Sequence, residues 1–328
     1  MYVVTGGAGF IGSNIAYGLE AAGIGPVAII DRLAEGDKWR NIAKCELSNI
    51  VKPDKAMEFL NAHAHTIAAV IHMGAVSSTT EPNVDLIIEN NFCFSMQLWQ
   101  WCTTKGVRFI YASSAATYGN GSAGFNDDNN GGALSSLYPL NAYGWSKHLF
   151  DRRVVTLVNQ GTPAPPQWAG LKFFNVYGPN EYHKSSQQSI VAQTYPHARN
   201  DEAAVLFRSH NPDYRDGGQM RDFIWVDDCV SVVLWLLKNE RISGLFNCGT
   251  GKARSFADLV GAVYKAMDLD PAIEYIDTPL NIRDTYQYFT EAKMERLRAA
   301  GYDTPMTELE EGVAKYVRNY LATDDPYR

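Results

Sequence analysis

The sequence predicts an α/β fold: a parallel sheet covered by helices on both faces, with a smaller α/β lobe interleaved with it. Three observations predict it. A β-rich run, Tyr2-Val3-Val4-Thr5, passes at once into Gly6-Gly7-Ala8-Gly9-Phe10-Ile11-Gly12 and then a helical pattern through Ala22. Strand and helix patterns alternate from there to residue 113, the order of a sheet whose parallel strands are joined by helical crossovers on its two faces. Beyond about residue 180 the alternation loosens, and a second lobe is expected there.

The glycines at 6, 9 and 12 form G-x-x-G-x-x-G with a strand before and a helix after, the context in which the pattern signals a dinucleotide site. Gly6 permits the tight turn, Gly9 lets backbone approach a pyrophosphate, and Gly12 lets the helix pack close to the sheet. The helix N-terminus, opened by Phe10 and Ile11, then faces phosphates. The fold class is therefore a Rossmann-type doubly wound parallel sheet. A second strand, from Pro26 to Ile30, ends in Asp31-Arg32. Asp31 stands where a carboxylate accepts from a ribose 2′-hydroxyl, which favours NAD. Arg32 and Lys38 supply positive charge for a 2′-phosphate, which favours NADP. The reading here favours NADP, with NAD as the alternative.

A helix from Asp54 to Ala62 leads to a strand, Ala68 to His72, and then to Met73-Gly74-Ala75-Val76-Ser77-Ser78-Thr79-Thr80-Glu81. Small residues after a buried strand let backbone pass close to a cofactor. His72 is read as a satisfied strand-end residue, and His63 and His65 have no third partner for a metal. A long helix from about Asn83 to Lys105, carrying Asn90-Asn91, precedes a strand from Val107 to Ser113. In such sheets ligands sit beyond the carboxyl ends of the strands, and Gly6, Asp31, Gly74 and Ser114 all fall at such ends. Four signals converge on one crevice.

Ser114 opens Ser114-Ala115-Ala116-Thr117-Tyr118-Gly119, and downstream comes Tyr143-Gly144-Trp145-Ser146-Lys147. On a helix from Asn141 to about Asn159, a tyrosine four residues before a lysine shares its face. A charged Lys147 is expected to favour the Tyr143 phenolate and draw its pKa below about 10, while Ser114 hydrogen-bonds the same substrate oxygen. That set suits taking a hydroxyl proton as a hydride leaves the carbon beneath it. Residues 119–140, rich in Gly, Asn and Asp, are expected to be a loop over the site. A strand from Gly170 to Phe174 runs into Asn175-Val176-Tyr177-Gly178-Pro179. Further on, Arg221-Asp222-Phe223 offers a guanidinium whose fork matches diphosphate oxygens. Helices follow over Val230 to Lys238, from a Ser255 cap to Met267, over Glu291 to Ala300 and over Met306 to Leu321, with a strand from Ser243 to Asn247.

With 46% apolar and 20% charged residues over 328 positions, the composition is that of an ordinary globular protein. A net charge of −7 argues against a general nucleic-acid binder. Five cysteines, an odd number without a C-x-x-C pair, suggest neither a disulfide framework nor a zinc site. Without a signal-like or membrane-spanning run, the expected compartment is the cytoplasm. Residues 1–170, with returning segments near 204–247, are assigned to the dinucleotide-binding domain. Residues 171–203 and 248–328 are assigned mainly to the substrate-binding domain.

These residues resemble the extended short-chain dehydrogenase/reductase superfamily. Within it, the segments Gly74 to Glu81, Ala112 to Gly119, Phe174 to Pro179 with His183-Lys184, Tyr286-Gln287-Tyr288-Phe289-Thr290 and Leu297 to Asp303 are similar to those of the ADP-L-glycero-D-manno-heptose 6-epimerase family. That resemblance implies NADP-dependent inversion at C6 of an ADP-heptose in lipopolysaccharide core precursor synthesis, by transient oxidation to a ketone and return of the hydride on the other face. It implies Tyr143 as acid/base for one epimer and Lys184 for the other, a pocket lined by His183, Ser185, Ser189, Phe207, Arg221 and Tyr286, and a ring-like homo-oligomer, a homopentamer. The expected catalytic set is Tyr143, Lys147, Ser114 and Lys184. The cofactor set is Gly6, Gly9, Phe10, Ile11, Gly12, Asp31, Arg32, Lys38, Gly74, Ala75, Asn91, Val176, Tyr143 and Lys147. Ser114 and Asn175 complete the substrate contacts, and no metal is expected. The segment Arg208 to Met220 is longer than the family pattern. Dehydratases of the superfamily carry an Asp-Glu pair after the serine position, where this chain has Ala115 and Ala116, so elimination is disfavoured. The alternatives are another nucleotide-sugar epimerase or reductase, such as a UDP-hexose 4-epimerase, and a catalytically silent dinucleotide-binding protein.

Overall fold

A computed structural model describes residues 1–283 and 287–328, so the expected substrate contact at Tyr286 lies outside the described residues. The first half of the chain runs β1 (Tyr2–Thr5), α1 (Phe10–Ala21), β2 (Val27–Ile30), β3 (Leu47–Val51), α2 (Ala56–Ala62), β4 (Ala69–His72), α3 (Val84–Ile88), α4 (Phe94–Lys105), β5 (Arg108–Ser114), α5 (Gly131–Ser135) and α6 (Ala142–Asn159). The second half runs β6 (Trp168–Phe173), β7 (Asn175–Tyr177), α7 (Ile190–Arg199), β8 (Ala204–Phe207), β9 (Met220–Trp225), α8 (Val226–Lys238), β10 (Gly244–Cys248), β11 (Ala253–Ser255), α9 (Phe256–Ala266), β12 (Ile273–Ile276), α10 (Leu280–Arg283), α11 (Glu295–Ala299) and α12 (Leu309–Tyr316).

Seven parallel strands form one sheet in the order β10-β6-β5-β4-β1-β2-β3. β2, β4 and β6 are buried along their whole length, and β1 in all but its first residue, as a sheet covered on both faces requires. Strand order reverses between β1 and β4, and a crevice lies beyond the carboxyl ends of the strands at this switch point. The fold is Rossmann-like, as the N-terminal pattern predicts. A three-stranded sheet, β11-β9-β7, and a two-stranded one, β12-β8, stand beside it. The three-stranded sheet has a separate apolar core in which Tyr177, Phe223 and Trp225 meet Leu259, Val313 and Tyr316, and the two-stranded sheet packs Ala204 and Leu206 against Val260 and Tyr264 of α9. Within the returning segment 204–247, α8 and β10 complete the large sheet, whereas β8 and β9 belong to the small ones.

Two local expectations change, and one strand is present that the sequence pattern does not announce. The helix read over Asn83 to Lys105 is interrupted by a π-turn at Glu89–Cys93, which carries Asn91 inward. The edge strand β3 has mostly exposed side chains and lacks the apolar alternation that announces a strand. Residues 119–140 are loop-like as expected, but none of them lines the cleft. They include α5, and their middle grips the free edge of β10: Asp127 and Asn129 accept from the backbone amides of Asn247 (2.7 Å) and Leu245 (2.8 Å).

Behind the crevice lies a buried ion pair. Lys172 of β6 and Asp151 of α6 are both fully buried, with Nζ and Oδ2 2.6 Å apart. Asp151 also accepts from Tyr111 Oη (2.9 Å) and Ser113 Oγ (2.6 Å), and Lys172 donates to Thr117 Oγ1 (2.8 Å). Every polar atom of the pair has a partner, and this is what makes a buried pair tolerable. Asp151→Ala strands Lys172 and is expected to lower the urea unfolding midpoint by the equivalent of about 3–5 kcal/mol. Adding Lys172→Met to it is expected to recover most of the loss.

Candidate functional site

The crevice is a cleft of about 710 Å³. Its floor is the glycine turn. A β-carbon on Gly12 would lie 2.1 Å from the Gly6 carbonyl, and one on Gly6 would lie 2.6 Å from Gly74, so both positions are closed to any side chain. A β-carbon on Gly9 would meet only the Gly6 carbonyl, at 3.1 Å, which leaves its outer side open. Gly9 is the N-cap of α1 and no side chain caps it. The first amides of α1 therefore lack intrahelical acceptors and face the cleft, ready for an anion. A backbone cradle open at Gly9 and closed behind Gly6 and Gly12 fits a dinucleotide diphosphate.

Asp31 follows β2 at the cleft margin. Its Oδ2 accepts from the Ala8 amide at 2.8 Å, and its Oδ1 accepts from the Arg32 amide at 2.7 Å and from Lys38 Nζ at 2.6 Å. Lys38 thus neutralises the carboxylate, while the Arg32 side chain is exposed outside the cleft lining. Asn91 does not line the cleft either. Buried by the π-turn, it exchanges two hydrogen bonds with the Val76 backbone (2.8 and 2.9 Å) and donates to Ser146 Oγ at 3.0 Å. It fixes the loop that carries Gly74 and Ala75, both of which do line the cleft, and ties that loop to α6.

Ser114, Tyr143 and Lys147 meet at the cleft wall. Asn141 caps α6 by accepting from the Gly144 amide at 2.8 Å, which sets Tyr143 in the first turn and Lys147 one turn on. Lys147 Nζ donates to the Ala112 carbonyl at 2.8 Å. The ammonium has left water almost completely, which pushes its pKa down to about 8, against a raising effect from Asp151. Tyr143 moves the opposite way from the sequence expectation: burial raises it above its ordinary value, and the lowering contribution is the hydrogen bond to Ser114. Desolvation of the phenolate outweighs that hydrogen bond.

A second basic group enters from residues 180–189. Lys184 lines the same cleft, its Nζ 5.3 Å from the centre of the Phe10 ring. Burial lowers its pKa, and Glu181 raises it. His183, whose Nδ1 lies 3.1 Å from Asn41 Nδ2, is held down at about 4 by loss of solvent and by Lys38 and Lys184, so it is neutral at physiological pH. Asn175, Val176 and Ser189 also line the cleft, while Ser185, Phe207 and Arg221 do not. Arg221 lies beside it, 5.6 Å from the ring of Phe256, a lining residue, and donates to the carbonyls of Met220 (2.9 Å) and Gln287. Among the described residues no cluster of His, Cys, Asp or Glu has the arrangement of a metal site.

A sequence model of the NAD dependent epimerase/dehydratase family matches residues 2–249. The chain belongs to this family. An ADP-L-glycero-D-manno-heptose-6-epimerase of Nitratidesulfovibrio vulgaris strain DP4 is 49% identical over 330 residues, with all of both chains covered. The crystal structure of the Helicobacter pylori ADP-L-glycero-D-manno-heptose-6-epimerase superposes with a TM-score of 0.78 at 26% identity, covering 97% of this chain and 95% of that one. The Thermus thermophilus UDP-glucose 4-epimerase, solved with NAD, superposes at 0.73 with 24% identity over 95% of this chain and 96% of that one, a likeness of fold alone.

For this member of the epimerase/dehydratase family, sequence reasoning missed an apolar wall of Phe174, Phe223, Phe256 and Leu259. Phe223 follows the flagged arginine closely, but Phe256 and Leu259 sit on the inward face of an ordinary amphipathic helix and carry no motif. Ser77, Thr79 and Thr80 of the quoted Ser-Ser-Thr-Thr loop line the cleft, and that loop was the available signal. The depressed Lys147 pKa implies a stability signature. A lysine at 10.5 when unfolded and about 8 when folded costs the fold most below pH 8, and the cost fades as pH rises from 8 to 10.5. Thermal unfolding of Lys147→Met against the parent chain is expected to favour the variant most below pH 8, with the difference shrinking above it.

Proposed function

We propose that this chain inverts C6 of an ADP-activated heptose, converting ADP-D-glycero-D-manno-heptose to ADP-L-glycero-D-manno-heptose with bound NADP, in lipopolysaccharide inner-core precursor synthesis. The observation that carries this reading is that one cleft is lined by the glycine turn and by two proton-handling groups from separate segments, Tyr143 and Lys184. Full-length identity of 49% to a heptose epimerase supports the substrate class. The turn of Gly6, Gly9 and Gly12 with Phe10, Ile11, Asp31 and Lys38 would hold the dinucleotide. When bound, a nicotinamide supplies the hydride acceptor and donor that takes a carbinol to a ketone and back.

The chain's own groups manage the protons. Burial moves Tyr143 up and Lys184 down from their ordinary values, which favours a neutral phenol as the acid and eases proton loss from the lysine as the base. Inverting a carbon presents its oxygen from a new direction, so one fixed phenol does not serve both epimers and a second group is needed. Ser114 steadies the phenol, and Lys147 keeps a positive charge one helical turn away. Elimination would need an acid where Ala115 and Ala116 stand.

For the cofactor, the Lys38 ion pair removes the charge by which Asp31 would repel a 2′-phosphate, and Arg32 adds a cation beside it; both favour NADP. Asp31 itself keeps NAD as the second reading. The same proposal makes the protein a cytoplasmic homo-oligomer, a homopentamer by resemblance. Among the described residues no helix is long and apolar enough to cross a membrane.

Incubation with ADP-D-glycero-D-manno-heptose, followed at C6 by NMR, is expected to yield the two epimers; turnover of UDP-hexoses alone, or no turnover, rejects the proposal. Tyr143→Phe is expected to slow epimerisation by about 10²–10⁴-fold with dinucleotide affinity retained. Lys184→Ala is expected to abolish full inversion; unchanged rates in both directions would remove the second base. Titration with NADP and NAD is expected to favour NADP in the parent chain and to lose that preference in Arg32→Ala/Lys38→Ala.

A further inference from the structure

We propose that residues 325–328, Arg328 above all, are positioning residues for the Lys184 segment, holding its stem against the first turn of α1. The proposal depends on the functional reading only for the chemical task given to Lys184.

Two features show that this segment does not hold itself in place. Asn180 has φ +72°, Ser185 has φ +50°, and the 3₁₀ turns across Tyr182–Gln187 break at Ser185. A non-glycine residue in such a conformation persists only where its surroundings over-determine it. One restraint is internal. Glu181, wholly buried, accepts from the Ser189 amide (2.5 Å) and hydroxyl (2.6 Å) and from Tyr316 Oη (3.1 Å), so it closes the segment's two ends on each other.

The other restraint comes from more than a hundred residues away. The Arg328 amide donates to Asn180 Oδ1 at 3.0 Å, while Asn180 Nδ2 reaches Ser13 Oγ (3.0 Å) and the Asn41 carbonyl (3.1 Å). The Arg328 guanidinium, 8% exposed, forks onto Asp227, donates to Asn14 Oδ1 at 2.9 Å and lies over the rings of Tyr17 and Tyr320. Asn14 in turn donates to the carbonyls of Phe10 and Pro179, both at 2.9 Å. One arginine therefore joins α1, α8 and the residue that opens the Lys184 segment. Its neighbours extend the hold. Tyr182 Oη donates to the Pro326 carbonyl at 2.9 Å, the Tyr182 and Tyr327 rings meet edge-on at 5.1 Å, and Lys44 binds both Asp325 (2.9 Å) and the Tyr327 carbonyl (2.8 Å). Phe10, whose carbonyl takes the Asn14 bond, is the ring that Lys184 faces. The base and the phosphate-facing turn are thus kept in register through Arg328. A lysine there keeps the charge but not the fork.

The test combines hydrogen exchange of the full-length protein with kinetics of Arg328→Ala and Arg328→Lys. In Arg328→Ala, amides of residues 180–189 are expected to exchange about tenfold faster or more, as when a hydrogen bond to a charged group is lost. Amides of β1 and of α6 are expected to be unchanged. Epimerisation kcat is expected to fall about 10- to 100-fold, the effect of a displacement of about 1 Å, with dinucleotide affinity kept and Arg328→Lys restoring part of the rate. In a Lys184→Ala background, where full inversion is already lost, Arg328→Ala is still expected to speed exchange over 180–189 and to leave dinucleotide affinity unchanged. Unchanged exchange over 180–189, a uniform rise across the whole chain, or loss of dinucleotide affinity in Arg328→Ala would each overturn the proposal. Exchange and dinucleotide binding need no sugar substrate, so a failure of the epimerase reading leaves this inference decided on its own.

Discussion

The contact on which the rest of the site depends is backbone against backbone: the turn after β1 pressed on the turn after β4. A methyl group at Gly6 would sit 2.6 Å from Gly74, so the two loops can approach this closely only where neither has a side chain. Hydrogen bonds hold the approach. The Met73 amide donates to the Thr5 carbonyl at 3.0 Å, the Gly74 amide reaches Thr5 Oγ1 at 3.2 Å, and the same hydroxyl meets His72 Nδ1 at 2.5 Å. His72, pushed down to about 3 by burial and by Lys147, stays neutral and serves as a buried tie between β1, β4 and Ser95 of α4. Its role is architectural. Because the loops close at this point, the strand order can reverse around it and leave a crevice of defined width.

The electrostatics of the crevice follow from how far each ionisable group in its walls is withdrawn from water. Lys147 and Lys184 move down, Tyr143 moves up, and His183 is neutral at physiological pH. Each shift penalises the charged form of its group. The fold tolerates these groups because neighbouring structure is rigid: the fully paired Asp151–Lys172 couple sits under Ser113 and Thr117, and Thr117 donates to the Ser114 carbonyl at 2.8 Å. A closed hydrogen-bond network of this kind fixes the strand end from which Ser114 projects.

The parts of this arrangement that were legible in the sequence are those written in local pattern. Gly6, Gly9 and Gly12 between a strand and a helix, Asn141 before Tyr143, and Ser255 with Asp258 in a capping box all form within a few residues of one another. Asp31 could be placed because strand ends in a parallel sheet share one edge. Asn91 shows the limit of such reading. It belongs to the right helix, but a π-turn rotates it into the interior, where it holds the Gly74 loop from behind, and no helical periodicity announces one extra residue in a turn. β8, β9, β11 and β12 were illegible for a related reason. Each has three to six residues, and it is their pairing with strands distant in the chain that makes them strands.

The Lys184 segment carries this reasoning furthest. From sequence, residues 180–189 are polar, short of apolar anchors and without helical or strand period, which describes any surface loop. What removes their freedom lies elsewhere: Ser13 and Asn41 near the glycine turn, Tyr316 in α12, and Arg328. None of those partners is unusual by itself, and none carries a motif. A lysine placed this way costs the chain little local specialisation, because ordinary polar residues from separate parts of the chain share the task of placing it. The same distribution means that its position responds to changes far from the cleft, whereas the glycine turn, whose constraints are all short-range and steric, responds only to changes within it.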